Sequence, residues 1–234
     1  MNLREERRRL NQARVVQAAL DIFTEKGITG VTIAAIAQHM NASVGGLYRY
    51  FPNKEAIFVA LQIHALKTLD GHVEHLLQSI DEQRESSEQI AILKLAVIFD
   101  LWDRFRQLSS RHYQVLYVFS SSFERKLDDS SAHQVDELLR PILERVAQAL
   151  AECAEEGMIK HGDHLKQTYV MWATLQGLAH FEKRDHLQPE GFTARALKIE
   201  VMRSYLTAWG ADAQTIDAIC HLKLPHINEC DEVT

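Results

Sequence analysis

Apolar residues recur at helical spacing along almost the whole chain. Val16, Ala19, Leu20 and Phe23 stand at i, i+3, i+4 and i+7, which places them on one face of a helix. Gly27 stops that helix, and Thr32 N-caps a second in which Ile33, Ile36, Ala37 and Met40 repeat the spacing. Asn41, which tolerates left-handed backbone, ends the second helix. Ser43 caps a third after a turn of a few residues, Pro52 ends it at or before Phe51, and a fourth begins near Lys54. Helices this short are not stable alone. They must share a core, for which Leu20, Phe23, Ile36, Leu47 and Phe51 are the candidates.

Beyond this head the pattern predicts helices over 54–80, 88–108, 111–123, 131–156, 164–183, 192–209 and 212–222. Charged stretches at 81–87 and 128–131, Gly157, Gly162, the 189–191 turn and Gly210 separate them, and Pro141 predicts a kink inside the fourth. Runs rich in Val, Ile, Thr and aromatics at strand spacing do not recur. The expected fold class is all-α, with a helix-turn-helix domain over 1–56, a helical domain over 57–225 and a disordered tail over 226–234.

The third helix carries unusual chemistry. Gly45 and Gly46 sit inside it, at about 1 kcal/mol each against Ala. Glycine removes side-chain bulk and lets a backbone approach another surface. Val44, Tyr48, Arg49 and Tyr50 surround the pair. Hydroxyl and cationic groups for phosphates, with small or methyl-bearing groups for thymine methyls, are what a helix in the major groove requires. Tyr48 reads alternatively as a core aromatic and Val44 as half-buried, and the Arg7–Arg9 run reads equally as a solvated tail or a phosphate-binding arm.

Charge separates along the chain. The total is −6, yet residues 1–56 hold eight Lys/Arg and five Asp/Glu for a net of +3, leaving −9 for the remainder. Hydrophobic content of 46% and charged content of 25% leave room for a sizeable core. Cys153, Cys220 and Cys230 lack metal-site spacing and leave an odd thiol, which points to a reducing, cytoplasmic setting. Signal-peptide character is absent from the charged N-terminus, and no run of 18 apolar residues suggests a membrane span.

Thr32, Ile36, Ala37, Ser43, Gly45, Leu47, Tyr48, Phe51, Lys54 and Glu55 fall in an order and spacing that closely resembles the head of the tetracycline-repressor (TetR) family of bacterial transcription regulators. Asn41-Ala42 replaces the family's common Gly-Val, and Tyr50 replaces its common His. The resemblance is close over about 50 residues and weak beyond them. It implies DNA contacts from Thr32, Ser43, Val44, Gly45, Gly46, Tyr48, Arg49, Tyr50 and Lys54. It also implies a homodimer through the two long helices near 165–183 and 192–209, with Ala173, Gly177, Phe181, Met202 and Leu206 at the interface, and a body that binds a small, often apolar, effector. Aromatics concentrate in that body. Most helical aromatics are core, but Phe99, Trp102, Tyr113, Tyr117 and Trp172, with Gln176 as a polar anchor, also suit a ligand cavity.

Twelve histidines include the pairs His72/His75 and His161/His164, neither with a cysteine at zinc-site spacing, so no metal and no cofactor are expected. Nucleophile-elbow and phosphate-loop motifs are absent, so an enzyme is not expected. The resulting expectation is a cytoplasmic, dimeric regulator, a repressor released from a palindromic double-stranded operator by a small molecule. The alternatives are an activator of the same fold and a helical ligand-binding module without DNA binding.

Overall fold

The computed structural model describes residues 2–121 and 128–222, and among these every regular element is helical. The expected tail over 226–234 and Cys230 lie outside the described residues. The helices are α1 (Leu3–Gly30), α2 (Ile33–His39), α3 (Val44–Tyr48), α4 (Lys54–Asp81), α5 (Ser87–Leu108), α6 (Ser110–Ser121), α7 (Asp129–Glu155), α8 (His164–Phe181), α9 (Ala194–Ala208) and α10 (Ala213–His221). Two short 3-10 turns, Glu182–Leu187 and Glu190–Phe192, lie between α8 and α9. The long helices begin and end within about two residues of the positions expected from spacing, the usual scatter of helix ends. Pro141 lies inside α7, which runs as one element through it.

The described residues form two compact units, one drawn from residues 2–70 and 109–139 and one from 71–108 and 140–222. The first unit therefore extends past the boundary expected at residue 56. Its core in the head is Val15, Ala18, Ala19, Leu20, Ile22 and Phe23 of α1, Ile36 and Ala37 of α2, Leu47 of α3, and Phe51. The buried face of α1 thus turns on Val15, while Val16 stands at its edge. Helical geometry breaks at Gly27, whose φ of 67° is one that glycine adopts readily. One more turn follows, to Gly30. The rest of this unit holds the first part of α4 and α6, where Ile57, Leu61, Ala65 and Val115 are fully buried and Phe58 stands edge-on to Phe119 at 5.4 Å.

In the second unit α5 is the most buried helix. Leu95, Ile98 and Phe99 are enclosed, and Phe99 stacks on Trp209 at 5.8 Å and on Tyr205 at 6.5 Å. Leu76, Ile80 and Val97 form a second cluster under Ile90, Leu93 and Leu101. Side chains cap the helices that follow. Asp163 Oδ1 accepts from the Lys166 N–H at 3.0 Å, Thr193 Oγ1 from Ala196 at 3.3 Å and Asp212 Oδ1 from Thr215 at 2.8 Å. Gly210 ends α9 with φ 83°, just where the Lys160 N–H donates to the Trp209 carbonyl at 2.7 Å. No helix among the described residues is long and apolar enough to cross a membrane.

Candidate nucleic-acid interface

The turn between α2 and α3 is built by local chemistry. Thr32 Oγ1 accepts the Ala35 N–H at 3.1 Å and Ser43 Oγ accepts the Gly46 N–H at 3.1 Å, so both helices start on side-chain caps. Asn41 takes φ 51°, the one positive φ on a non-glycine among the described residues. The Ala42 N–H then donates back to the Ala37 carbonyl at 2.9 Å, closing α2 and turning the chain into α3. Both cap residues are exposed, and each hydroxyl keeps its own O–H to donate outward.

Leu47, 2% exposed, and Phe51, 6% exposed, anchor α3 to the head core. Their burial fixes which side of this helix looks outward. Val44 is 43% exposed and Tyr48 52%, so neither belongs to the core, and Arg49 is exposed beside them. Beyond the chain neighbours and the backbone of the helix itself, no heavy atom lies within 4 Å of where a Cβ at Gly45 would stand, and at Gly46 only Ser43 Oγ does, at 3.1 Å. The outer surface of α3 is therefore bare backbone flanked by a methyl-bearing, a phenolic and a guanidinium group.

Tyr50 is half-buried and braced. Its hydroxyl accepts a hydrogen bond from Asn11 Nδ2 at 3.0 Å, its carbonyl accepts from Gln12 Nε2 at 3.5 Å, and the Arg49 guanidinium lies 5.9 Å over its ring. Lys54 sits at the start of α4 with its ammonium 4.8 Å over the Phe58 ring, and Asn53 Oδ1 caps that helix by accepting from Ala56 N–H at 2.8 Å. All nine sequence-predicted DNA residues thus belong to one stretch from the start of α2 to the start of α4. Thr32, Ser43, Val44, Gly45, Tyr48 and Arg49 are exposed, while Gly46, Tyr50 and Lys54 are half-buried.

Some residues that shape this site were invisible in the sequence pattern. Asn11 and Gln12 reach Tyr50 across nearly 40 positions, and no local signal marks such a pair. Asp21 is a second case. It accepts from Gln17 Nε2 at 3.1 Å, lies 3.5 Å from His39 Nε2 of α2, and pairs with Arg111 of α6, whose Nε also donates to Thr24 Oγ1 at 3.1 Å.

The body residues divide. Phe99 and Trp102 line a groove of about 700 Å³ in the second unit, together with Leu175, Leu178, Lys198 and Met202. Trp172 and Gln176 belong to the same unit without lining that groove, and the buried Gln176 Oε1 has no hydrogen-bond partner among the described residues. Tyr113 and Tyr117 belong to the first unit, stacked on one another at 5.9 Å.

An alternating chain of charges lines the groove. Lys198 bridges Asp100 at 2.9 Å and Asp103, Arg104 holds Asp100 at 3.0 Å, and Arg106 joins Asp103 at 3.3 Å to Glu182 at 2.8 Å. Burial pulls the Lys198 pKa down, but the Asp103 and Asp100 carboxylates outweigh it and the net shift is upward. Burial pushes Glu182 up against the pull of Arg106.

On α8, Ala173 and Gly177 are exposed and no heavy atom lies within 4 Å of a Cβ built at Gly177, while Phe181 is half-buried. Met202 and Leu206 are placed differently. At 9% and 0% exposed they fill the core of their own unit, because α9 turns that face toward α5 and α10. His72 packs edge-on to Phe105 at 5.6 Å, and His164 Nδ1 pairs with Gln167 Oε1 at 2.7 Å. Among the described residues no group of three or more His, Cys, Asp or Glu is arranged to hold a metal ion.

Comparison with known proteins places this arrangement. The family model described as bacterial regulatory proteins, tetR family, matches residues 15–61. The HTH-type transcriptional regulator BetI of Burkholderia thailandensis is 34% identical over 62 residues, which are 26% of this chain and 32% of the relative. The match thus spans about a third of the length of that relative. Among solved structures, RolR in complex with resorcinol superposes with a TM-score of 0.64 at 18% identity, covering 96% of this chain and 100% of RolR. The TetR family transcriptional regulator PfmR from Thermus thermophilus gives a TM-score of 0.53 at 19% identity over 83% of this chain and 97% of PfmR. These two likenesses show the fold, and the head carries the sequence match. The head, over residues 15–61, thus matches the tetR family of bacterial regulatory proteins, and the fold of the chain is that of RolR and PfmR.

Proposed function

We propose that this regulator is a cytoplasmic, homodimeric repressor that reads a palindromic operator through α3 and is released from it by a small molecule. The observation that carries the reading is the outward surface of α3, where Gly45 and Gly46 leave the backbone open between Val44, Tyr48 and Arg49 while Leu47 holds the helix to its core. Val44, Gly45, Gly46 and Arg49 are the base-reading set. Thr32, Ser43, Tyr48, Tyr50 and Lys54 hold phosphates and fix the register. Two such heads in a dimer would stand about 34–36 Å apart, one turn of duplex.

The exposed face of α8 supports the dimer. Val170, Ala173 and Gly177 lie on it, and Val170 is 52% exposed in the single chain. Met202 and Leu206 would then support the interface from behind, while Phe181 and the exposed side of α9 line its edge. For the effector, the groove beside Phe99 and Trp102 joins apolar side chains such as Leu175 and Met202 to the paired charges of Asp100, Asp103, Arg106, Glu182 and Lys198. RolR, of the same fold, holds the small aromatic diol resorcinol. Trp172 and Gln176 of the same unit are further candidates to contact an effector, and Tyr113 and Tyr117 are candidates within the first unit. Release requires that the effector bind tighter to the dimer state whose heads mismatch the operator.

The test is a binding titration of the full chain on the DNA upstream of its own gene, over a series of salt concentrations. Lys54→Ala should weaken binding alike on all sequences and lower the salt slope by about one unit. Absence of any duplex binding at low salt overturns the reading. Gly177→Arg should give monomers in sedimentation, and a soluble variant that sediments as a dimer removes α8 from the interface.

A further inference from the structure

Residues 1–14 hold five arginines and two glutamates, and residues 15–56 hold three basic and three acidic residues. The whole +3 of the head therefore sits in its first 14 residues, ahead of the segment that matches the family model at 15–61. These residues are not a loose tail. From Leu3 they are the first three turns of α1, closed at the start by a capping box in which Asn2 accepts the Arg4 N–H at 3.3 Å and Glu5 Oε2 accepts the Asn2 N–H at 3.5 Å.

Helical register sorts the charges. Arg4, Arg7, Arg8 and Asn11 stand at i, i+3, i+4 and i+7 and share one face. Asn11 on that face donates to the Tyr50 hydroxyl just past α3, and Gln12 beside it reaches the Tyr50 carbonyl. The stripe therefore continues, about two turns and 10 Å along the axis, from the end of the reading segment. Glu5 and Glu6 fall off this face, and Glu5 is engaged in the cap. All three arginines of the stripe are exposed.

We propose that this arginine stripe is a second DNA contact, in which Arg4, Arg7 and Arg8 lie on backbone phosphates flanking the bases read by α3. The proposal rests on the reading of the head as a duplex-binding domain. It adds the attraction of this stripe to that of Lys54 and leaves the sequence choice to α3. Over the roughly 6 Å of axis from Arg4 to Arg8, one strand of a duplex presents about two phosphates, and the length of the arginine side chains widens that span to a third.

The experiment compares the full chain with its R4A/R7A/R8A and R4K/R7K/R8K variants on two duplexes, the upstream DNA and a mixed-sequence duplex of equal length, each over a salt series. The alanine variant should lose affinity for both duplexes in the same proportion, and its salt slope should fall by about two to three units. The lysine variant should keep most of the slope. Alanine favours helix, so far-UV circular dichroism should show α1 intact. An alanine variant with unchanged affinity and slope overturns the stripe while leaving the duplex reading in place. Wild-type protein that binds neither duplex overturns the reading, and the stripe with it. A slope lost in the lysine variant as fully as in the alanine variant also overturns the proposal, since charge on phosphates would not then be its basis.

Discussion

The head and the second unit treat polar groups in opposite ways. In the head, the core is purely apolar and the polar groups near α3 face outward, with Thr32, Ser43 and Arg49 exposed. In the second unit, charges are drawn inward and paired. Lys94 is 6% exposed and bonded at 2.6 Å to both Asp81 and Glu152, and the Lys198–Asp100–Asp103–Arg106–Glu182 chain lines the groove. A surface that must bind phosphates keeps its donors unspent, whereas internally paired charges offer little to a polyanion. The difference teaches that one chain can be negative overall and still keep a positively charged end whose donors face outward.

The comparison breaks most visibly at the head core. Leu47→Ala removes the one fully buried side chain of α3, at about 2–5 kcal/mol. Trp102, Trp172 and Trp209 all belong to the second unit. The variant should therefore lose helical signal and DNA binding at a temperature where tryptophan fluorescence is unchanged. A single transition seen equally by both probes would show that the two regions are not independent in stability.

The complementary change is Lys94→Ala. It leaves Asp81 and Glu152 without their cation, but both are about half exposed and rehydrate, so a loss of about 2 kcal/mol is expected rather than the larger cost of a fully buried broken pair. Burial lowers the Lys94 pKa, and its bonds to Asp81 and Glu152 more than reverse that, leaving it raised. A raised folded pKa gives stability that is complete below 10.5 and lost as pH rises through the folded value. Wild type should therefore be more alkali-sensitive than the variant, measured as the fall in melting temperature above that pH.

The same contrast decides what could be read from the sequence. Caps, the Asn41 turn, Pro52 and the i, i+3, i+4 stripes act over a few residues, so the helices and the α2–α3 turn were legible from spacing and turn chemistry. The register of α1 was not fully so, because Val15 and Val16 are both apolar and only packing against α2 and α6 chooses between them. In the body, the resemblance suggested Met202 and Leu206 for the interface, but helical spacing alone does not say which apolar stripe faces its own core. The Asn11–Tyr50 bond and the Arg111–Asp21 pair join residues far apart in sequence, and no pattern within a window of a turn or two carries them.

A change on the reading face sharpens the contrast. Arg49→Ala should leave the fold untouched, since the side chain is exposed, and should cost about 1–3 kcal/mol in operator binding. If Arg49 pairs with guanine, the preference at one base pair per half-site should relax. A profile of base preferences that survives while affinity falls would make Arg49 a phosphate ligand. Asn11→Ala tests the brace behind it. Losing one neutral hydrogen bond to Tyr50 should weaken DNA binding by about 1 kcal/mol, without altering base preference.

The smallest expected effect concerns a titrating group in the first unit, away from the reading face. His64 of α4 stands edge-on to His112 of α6, ring centres 4.9 Å apart. Burial lowers its pKa below the usual 6.5, and the positive charge of Lys67 lowers it further. The sign follows from linkage. A histidine whose folded pKa lies below its unfolded value favours the neutral form in the fold, so its contribution is complete above 6.5 and is lost as pH falls through the lower, folded value. Between pH 6.5 and that value, the unfolded chain takes up a proton that the folded chain refuses. His64→Gln keeps a polar side chain of similar reach and cannot titrate. Carboxylates also destabilise the fold in more acidic solution, so the informative quantity is the difference between the two proteins. The wild-type melting temperature should drop more steeply than that of the variant just below pH 6.5, with the curves parallel above it. Parallel curves throughout would mean that the His64–His112 contact accepts a proton as readily as water does, and that burial at this position exerts no hold on the charge.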